Sequence, residues 1–225
     1  MKNLRNWTRS LLASTLAGLS FMSIAVSAHA DGLQSLASFV ESTQGGRAAF
    51  TQVVTAPPKD GQAARPRTSS GSFAFLRPNR FKFDYAKPFE QKIVSDGQTL
   101  WLHDVDLNQV TARPLESVLS GTPAAVIASA RNLDGLRKNF DLQAIAAPPG
   151  AAAGTEWVEA SPKGKDGQIQ SIKVGFAGKQ LAALDILDSF GQRSVITFDN
   201  LQTGSLPAAS DFKFTPPPGA DVVRP

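Results

Sequence analysis

The side chains that most often carry chemistry are scarce in this chain of 225 residues, which contains two histidines and no cysteine. His29 lies in an N-terminal leader, so a Ser-His-Asp triad would have to use His103, which falls on a predicted strand. Asp104 and Asp106 flank a predicted turn, where carboxylates are usually solvated loop charges. There is no phosphate-binding loop and no dinucleotide fingerprint. We therefore predict no catalytic residue, no metal site and no cofactor, although hydrolases that use carboxylates alone leave faint sequence traces.

The segment FAFLRPNRFKFDY, residues 73–85, indicates a binding surface instead. Two extended segments joined at Pro78 would place alternate side chains on one face. These are Phe73, Phe75 and Arg77 in the first segment and Phe81, Phe83 and Tyr85 in the second, to which later strands could add Ile93 and Trp101. Together they could line the concave face of a curved sheet. Periodicity alone favours an ordinary closed core, because core and cavity produce the same alternation.

Arg77 is the residue that favours a cavity. A guanidinium carries five donors and keeps its charge, so a dry core would hold it only at high cost unless it were paired. At the edge of a cavity it could donate to the carbonyls that end a covering helix, which lack partners and carry partial negative charge. Such an arginine would hold a lid closed. The alternative is a surface arginine that reaches water at a strand end beside Pro78, and the pattern does not decide between the two.

The first thirty residues have the parts of a Sec-type signal peptide. Lys2, Arg5 and Arg9 precede an uncharged, mostly apolar run at residues 11–26, and AHA at residues 28–30 is a small-x-small cleavage site. Cleavage would remove three cations and no anion, which lowers the net charge from +4 to +1. No long basic run remains, so we expect neither nucleic acid nor an anionic membrane surface as a partner.

The rest of the chain, residues 31–225, is long enough for one domain and alternates mostly with period two. Leu33, Leu36, Phe39 and Val40 predict a short N-terminal helix that ends at Gly45-Gly46. We predict strands at Ala49–Thr55, Ser70–Arg77, Asn79–Tyr85, Glu90–Val94, Thr99–Asp104, Leu107–Ala112, Phe140–Ala146, Thr155–Ser161, Gln168–Phe176, Leu181–Asp188, Ser194–Leu201 and Phe212–Phe214. Tight turns between successive strands imply an antiparallel sheet, and so many strands would curl into a barrel or a barrel-like sheet.

A helical stretch at about residues 115–138 interrupts the strands. It must bury an apolar face, and the mouth or concave side of the sheet is the natural place. Leu115, Val118 and Leu119 indicate one helical turn, and Pro123 could be the first position of another, after Thr122 as N-cap.

The run LRPNRFKFDYAKPFEQKIVSDGQTLWLHDVDLNQV, residues 76–110, resembles the outer-membrane lipoprotein carrier protein family, LolA, of Gram-negative bacteria. The matching features include the RPNxF core, the QxIVSDGxxLW hairpin and the DLxQV strand. Phe39, Phe50-Thr51-Gln52, the Thr122-Pro123 segment and the C-terminal FKFTPPPGADV also fit. The similarity spans essentially the whole chain after the signal peptide, in order.

The resemblance implies a mainly β fold, an incomplete, half-open antiparallel β-barrel with an N-terminal helix and a lid of short helices over a hydrophobic cavity. A periplasmic carrier of this family takes acylated lipoproteins from an inner-membrane, ATP-driven ABC transporter and delivers them to an outer-membrane lipoprotein receptor. Arg77 matches the family arginine that holds the lid shut, and Phe81 matches an aromatic near the mouth. The resemblance places the lid at about residues 115–138, with apolar contacts from Leu115, Val118, Leu119, Pro123, Val126 and Ile127. We expect a monomer, since the mouth must meet two partners. Several lid residues are alanine here, which leaves the packing of acyl chains open.

A half-open barrel of this kind could instead bind a lipid or a mislocalised lipoprotein and report envelope stress to a membrane regulator. Such sensors usually carry a second domain, whereas this sequence ends at Pro225, soon after the FxFxPP segment. The carrier function is therefore the favoured prediction, and the sensor is its alternative. An enzyme that acts on envelope lipids is a third class, but it would need a nucleophile and base built around one histidine.

Overall fold

A computed structural model describes residues 32–58, 64–119, 123, 125–164 and 167–225. The predicted signal peptide and Thr122 lie outside the described residues. Within the described ranges, no helix has both the length and the apolar character needed to cross a membrane.

The chain begins with helix α1 (Gly32–Ser42) and continues mainly as strands. The strands are β1 (Gly45–Thr55), β2 (Pro66–Leu76), β3 (Arg80–Lys87), β4 (Gln91–Asp96), β5 (Thr99–Asp104), β6 (Gln109–Pro114), β7 (Phe140–Ile145), β8 (Thr155–Pro162), β9 (Ile169–Ala177), β10 (Gln180–Asp188), β11 (Arg193–Gln202) and β12 (Asp221–Val223). Between β6 and β7 lie α2 (Leu115–Leu119), a π-helical turn (Ala125–Ser129) and α3 (Leu133–Arg137). A 3₁₀ turn (Ala209–Phe212) follows β11.

All twelve strands belong to one sheet, in the order β12-β6-β5-β4-β3-β2-β1-β11-β10-β9-β8-β7. Neighbouring strands are antiparallel except β12, which runs parallel to β6. The sheet is open, since β12 and β7 are its two edges and do not pair with each other. The predicted mainly β class, with an open antiparallel sheet and an N-terminal helix, is confirmed.

Three sequence predictions about individual elements were wrong. Gly45 and Gly46 begin β1 rather than ending α1, which stops at Ser42. Phe212–Phe214 is not a strand, because Phe212 is the last residue of the 3₁₀ turn. The Phe212 side chain is fully buried. The last strand is β12, whose three residues are too few for an alternating pattern to be recognised.

Helix α1 fills the concave side of the sheet. It packs against β7, β8, β9 and β10, and its buried residues include Leu36, Phe39 and Val40. The Phe39 ring lies 5.9 Å from that of Phe75 on β2 and 5.8 Å from that of Phe176 on β9, measured between centroids. The Phe39 side chain thus contacts β2 and β9, which are well separated in the sheet order, so the two halves of the open sheet share one core.

The backbones of β2 and β3 approach each other closely at Gly71, beside a bulge in their pairing. A Cβ atom at Gly71 would lie 1.9 Å from the carbonyl oxygen of Asp84, so a side chain there requires the backbones to separate. Gly71 also stands between Phe50 and Tyr85 in the cross-strand row, and the two rings meet across it with centroids 4.9 Å apart.

We expect Gly71→Ala to lower the free energy of unfolding by about 1–3 kcal/mol, the usual effect of overpacking. Urea denaturation measures this change. Gly164→Ala is the matched control, because a Cβ atom there meets nothing within 4 Å, and its effect should stay within about 0.5 kcal/mol. Equal denaturation midpoints for the two variants would show that the strands do not constrain residue 71.

Candidate functional site

An apolar cavity of about 240 Å³ lies between the sheet and the lid. Its walls contain five of the predicted residues from the sheet, Phe73, Phe81, Phe83, Tyr85 and Ile93, and two from the lid, Pro123 and Ile127. The sequence analysis missed Leu100, Leu102, Ala128, Leu184 and Ile196, which complete the lining. These five are aliphatic, and Leu184 and Ile196 come from strands far along the chain, so local alternation gave no sign that they meet the aromatics.

Strand register brings the aromatic residues together. Phe73 pairs with Phe83, and Phe83 pairs with Ile93, so all three point to the same face. The rings of Phe73 and Phe83 have centroids 4.6 Å apart, and Phe198 joins them from β11 at 4.9 Å from Phe73. The cavity wall is therefore a packed aromatic cluster.

Two predicted cavity residues lie elsewhere. Phe75 is fully buried beside the cavity, where its ring stacks on Phe73 at 5.7 Å. Trp101 lies on the opposite face, where its ring contacts Phe214 at 5.5 Å. The register explains the correction, because Ile93 pairs with Leu102 and cross-strand partners share a face. The inward residues of β5 are therefore Leu100 and Leu102.

His103 shares the outer face with Trp101 and also contacts Phe214, at 5.7 Å between ring centroids. It is buried, and neither of its ring nitrogens has a hydrogen-bond partner among the described residues. The described part of the chain also contains no cluster of His, Cys, Asp or Glu side chains that could hold a metal ion. His103 is thus packed as a sheet residue beneath the C-terminal segment.

The lid segment closes the cavity with a few side chains. Leu115 at the start of α2 is buried, Val118 packs against the core, and Leu119 ends the helix. Val126 and Ile127, in the π-helical turn, are both buried. Asn132 caps α3 through its side-chain oxygen, which accepts a hydrogen bond of 2.8 Å from Gly135 N.

Arg77 joins the lid to helix α1. Its Nε donates to the carbonyl oxygen of Thr43, just past the end of α1, at 2.8 Å, and its Nη1 donates to the carbonyl oxygen of Ala130, just past the π-helical turn. The guanidinium carbon lies 5.3 Å from the centroid of Phe39 and 5.8 Å from that of Phe75. Burial lowers the pKa of Arg77 to about 10, so the side chain remains charged at neutral pH.

A second hydrogen bond holds the lid beside Arg77. The backbone N–H of Asn79 donates to the carbonyl oxygen of Ala128 at 2.9 Å. Asn79 has a φ of 65°, in the left-handed region that asparagine tolerates better than most residues. Its own carbonyl accepts a hydrogen bond of 2.7 Å from the hydroxyl of Ser95, which is completely buried. The turn between β2 and β3 therefore contacts the lid through two adjacent groups.

The cavity ends at a row of polar side chains on the side away from Arg77. The Tyr85 hydroxyl donates to Gln52 Oε1 at 2.9 Å, and Gln52 Nε2 donates to the Ser194 hydroxyl at 2.7 Å. Burial raises the pKa of Tyr85 to about 12, which keeps the phenol neutral.

A larger hollow of about 680 Å³ lies over β1, β2, β3 and β11, but charged groups surround it. They include the ion pairs Arg47–Asp211, at 2.6 Å, and Lys82–Asp84, at 2.7 Å. An apolar ligand would gain little by displacing water from such a surface. The smaller cavity is therefore the better candidate for binding apolar chains.

Comparison with known proteins identifies the family. The family model described as outer membrane lipoprotein carrier protein LolA matches residues 41–215. This chain belongs to the LolA family. It is 58% identical over 201 residues to the outer-membrane lipoprotein carrier protein of Albidiferax ferrireducens, covering 88% of this chain and 92% of that protein. With the same-named protein of Methylibium petroleiphilum it shares 52% identity over 196 residues, covering 87% and 91%.

Among solved structures, this LolA-family protein is similar to a LolA superfamily protein from Nitrosomonas europaea. The two share 11% sequence identity with a TM-score of 0.44, over 81% of this chain and 96% of the other. Family membership therefore rests on the sequence matches.

The contact between Asn79 and the lid can be tested with two substitutions at one position. Asn79→Gly keeps the N–H and tolerates the positive φ, whereas a β-branched valine does not. We expect Asn79→Val to speed amide hydrogen exchange in residues 125–130, and Asn79→Gly to leave it near the wild-type rate. Mass spectrometry of the exchanged peptides provides the measurement, and equal protection in both variants would contradict the contact.

The phenol of Tyr85 offers a second test, since it is the only tyrosine in the chain. We expect tyrosinate absorbance to appear with a midpoint near pH 12 in the folded protein, above the ordinary value of 10. Because Tyr85 ionises first in the unfolded chain, its contribution to stability should be lost as the pH rises from 10 towards 12, so the free energy of unfolding of the wild type should fall relative to that of Tyr85→Phe over this range. Tyr85→Phe should remove the absorbance change. A midpoint near pH 10 in the folded protein would mean that this end of the cavity is open to water.

Proposed function

We propose that this protein is a periplasmic lipoprotein chaperone that binds the acyl chains of its cargo in the cavity beneath the lid. The observation that carries the proposal is the apolar, lidded cavity in a chain of the LolA family, whose relatives bear the name outer-membrane lipoprotein carrier protein. Phe73, Phe81, Phe83, Tyr85 and Ile93 supply the acyl-binding wall. The protein acts as a carrier and not as an enzyme.

Acyl-chain burial provides more than enough free energy for this role. Each buried methylene contributes about 0.8 kcal/mol, so a chain of about 14 methylenes contributes roughly 11 kcal/mol. A rigid open pocket would hold such a chain too tightly for transfer to the next protein. A carrier therefore needs an opposing free energy that is recovered on release.

The lid contacts of Arg77 supply that opposing free energy. Cargo that enters the cavity must displace the lid, which separates Arg77 from Ala130 and Asn79 from Ala128. The bond from the charged Arg77 contributes about 1.5–3 kcal/mol and the neutral bond from Asn79 about 0.5–1.5 kcal/mol, so their loss offsets part of the gain from acyl burial. When the cargo leaves, the lid closes and these bonds form again. Arg77 is in this way a latch that favours the empty state.

Two membrane partners follow from this role. The carrier receives lipoproteins from an inner-membrane ABC transporter that supplies the energy of ATP, and it delivers them to an outer-membrane lipoprotein receptor. Since the periplasm contains no ATP, the transfer from carrier to receptor must run downhill in binding free energy. The carrier must therefore bind the lipoprotein less tightly than the receptor does.

A release assay tests the proposal. Spheroplasts that carry newly made, radiolabelled lipoproteins are incubated with the purified mature protein, and the soluble fraction is analysed for a complex. We expect lipoprotein in the soluble fraction only when both this protein and ATP are present. No release by a folded protein that still binds acyl chains would overturn the carrier function and favour a sensor of lipoproteins.

For Arg77→Leu we expect normal loading in this assay but transfer to outer membranes at least about tenfold slower, because cargo binding is no longer opposed by the latch. Arg67→Leu is the matched control, since Arg67 lies on β2, the strand that leads into the turn containing Arg77, and is exposed. Transfer is measured by mixing loaded carrier with outer-membrane vesicles. Wild-type transfer by Arg77→Leu would remove the latch from the mechanism.

A further inference from the structure

The concave face of the sheet changes from apolar to polar at one row of residues. Phe83, Ile93 and Leu102 pair across β3, β4 and β5 and belong to the apolar cavity. One row further from Arg77, the paired residues are Tyr85, Gln91 and Asp104. The boundary between apolar and polar surface therefore passes through Tyr85.

A change from apolar to polar side chains also occurs along β1, which lies beyond β2 in the sheet order and pairs with β11. Phe50 and Phe198 pair on β1 and β11, and both are buried in the core. Two residues further along β1 is Gln52, which pairs with Ile196 and donates to Ser194. The Tyr85–Gln52–Ser194 chain thus joins strands β3, β1 and β11 at the end of the cavity.

Space continues on the other side of this chain. A mainly polar hollow of about 560 Å³ is lined by Tyr85, by polar residues that include Gln52, Ser69, Gln91 and Asp104, and by the exposed apolar residues Phe89 and Leu107. Tyr85 lines both this hollow and the apolar cavity, so its side chain separates them. The end of the apolar cavity is therefore set by the chemistry of these side chains and not by a lack of room.

We propose that Gln52, Tyr85 and Ser194 form a stop that sets the length of the acyl chain this protein accepts. This inference rests on the proposed function, because it assumes that acyl chains occupy the cavity. The terminal methyl group of a bound chain lies against the Tyr85 ring. A longer chain has to separate the three side chains or enter the polar hollow, and both leave buried polar groups without partners.

The stop has a measurable consequence for affinity. Up to the length that fills the apolar cavity, each added methylene should tighten binding about fourfold. Beyond that length the gain should disappear, since the additional methylenes meet amide and hydroxyl groups. Replacing Gln52 by leucine removes both hydrogen bonds with little change in volume, and so extends the apolar surface past Tyr85.

The experiment measures displacement of a dansyl-labelled fatty acid from the purified protein by laurate, palmitate and arachidate, each below its micelle concentration. We expect wild-type affinity to stop rising between two of these chain lengths. In Gln52→Leu the preference for the longer chain should increase by about tenfold. Ser194→Ala, which breaks one bond of the chain and leaves the cavity wall intact, should shift the preference in the same direction.

Thr51→Val is the matched control, since Thr51 neighbours Gln52 on β1 and therefore faces the other side of the sheet. It should keep the wild-type length preference. Unchanged length preference in both Gln52→Leu and Ser194→Ala, with all proteins folded and binding the probe, would overturn the stop and leave the carrier function intact. If the wild-type protein bound none of the fatty acids, the acyl-binding function itself would fail, and the stop with it.

Discussion

The burial of one positive charge constrains this structure more than any other single interaction. Arg77 lies among phenylalanine rings and stays charged at neutral pH, so its donors require acceptors that the sheet does not provide. Those acceptors are Thr43 O at the end of α1 and Ala130 O at the end of the π-helical turn. Two elements that are far apart in sequence must therefore end at the same point. The position of the lid over the cavity follows from that requirement.

Much of the fold could be predicted because its determinants are local. Alternating residues and tight turns predict the strands. The arginine among aromatic residues left two alternatives open, a buried cation with partners and a surface cation, and the coordinates show the buried one. The error at Trp101 shows where alternation is insufficient. The two-residue turn at Gly97 and Gln98 pairs Ile93 with Leu102, so inward positions change from odd to even numbers between β4 and β5. Across the turn between β3 and β4, Phe83 pairs with Ile93 and the parity is kept. Turn length, and not hydrophobicity, therefore decides which face a strand residue occupies.

Other parts of the site depend on contacts that no local pattern reports. Leu184 and Ile196 reach the cavity only because β10 and β11 return beside β1 in the sheet. The hydrogen bond from Asn79 to Ala128 uses the backbone N–H of Asn79. Every residue except proline carries such a donor, so the sequence does not single this one out. Its signal in the sequence is indirect, namely an asparagine that tolerates a positive φ after Pro78. Backbone recognition of this kind needs coordinates to be seen.

The two ends of the cavity are closed by bonds of different kinds, and this difference determines which end can move. At the Arg77 end, the hydrogen bonds connect the turn after β2 to the lid, so they break when the lid separates from the sheet. At the Tyr85 end, the two side-chain hydrogen bonds, from Tyr85 to Gln52 and from Gln52 to Ser194, run between strands of the same sheet. The lid movement proposed above would leave those bonds unchanged, because they depend on the ladders that hold β3, β2, β1 and β11 in register. Under that proposal, one end of the apolar cavity would open with the lid and the other would stay fixed with the sheet.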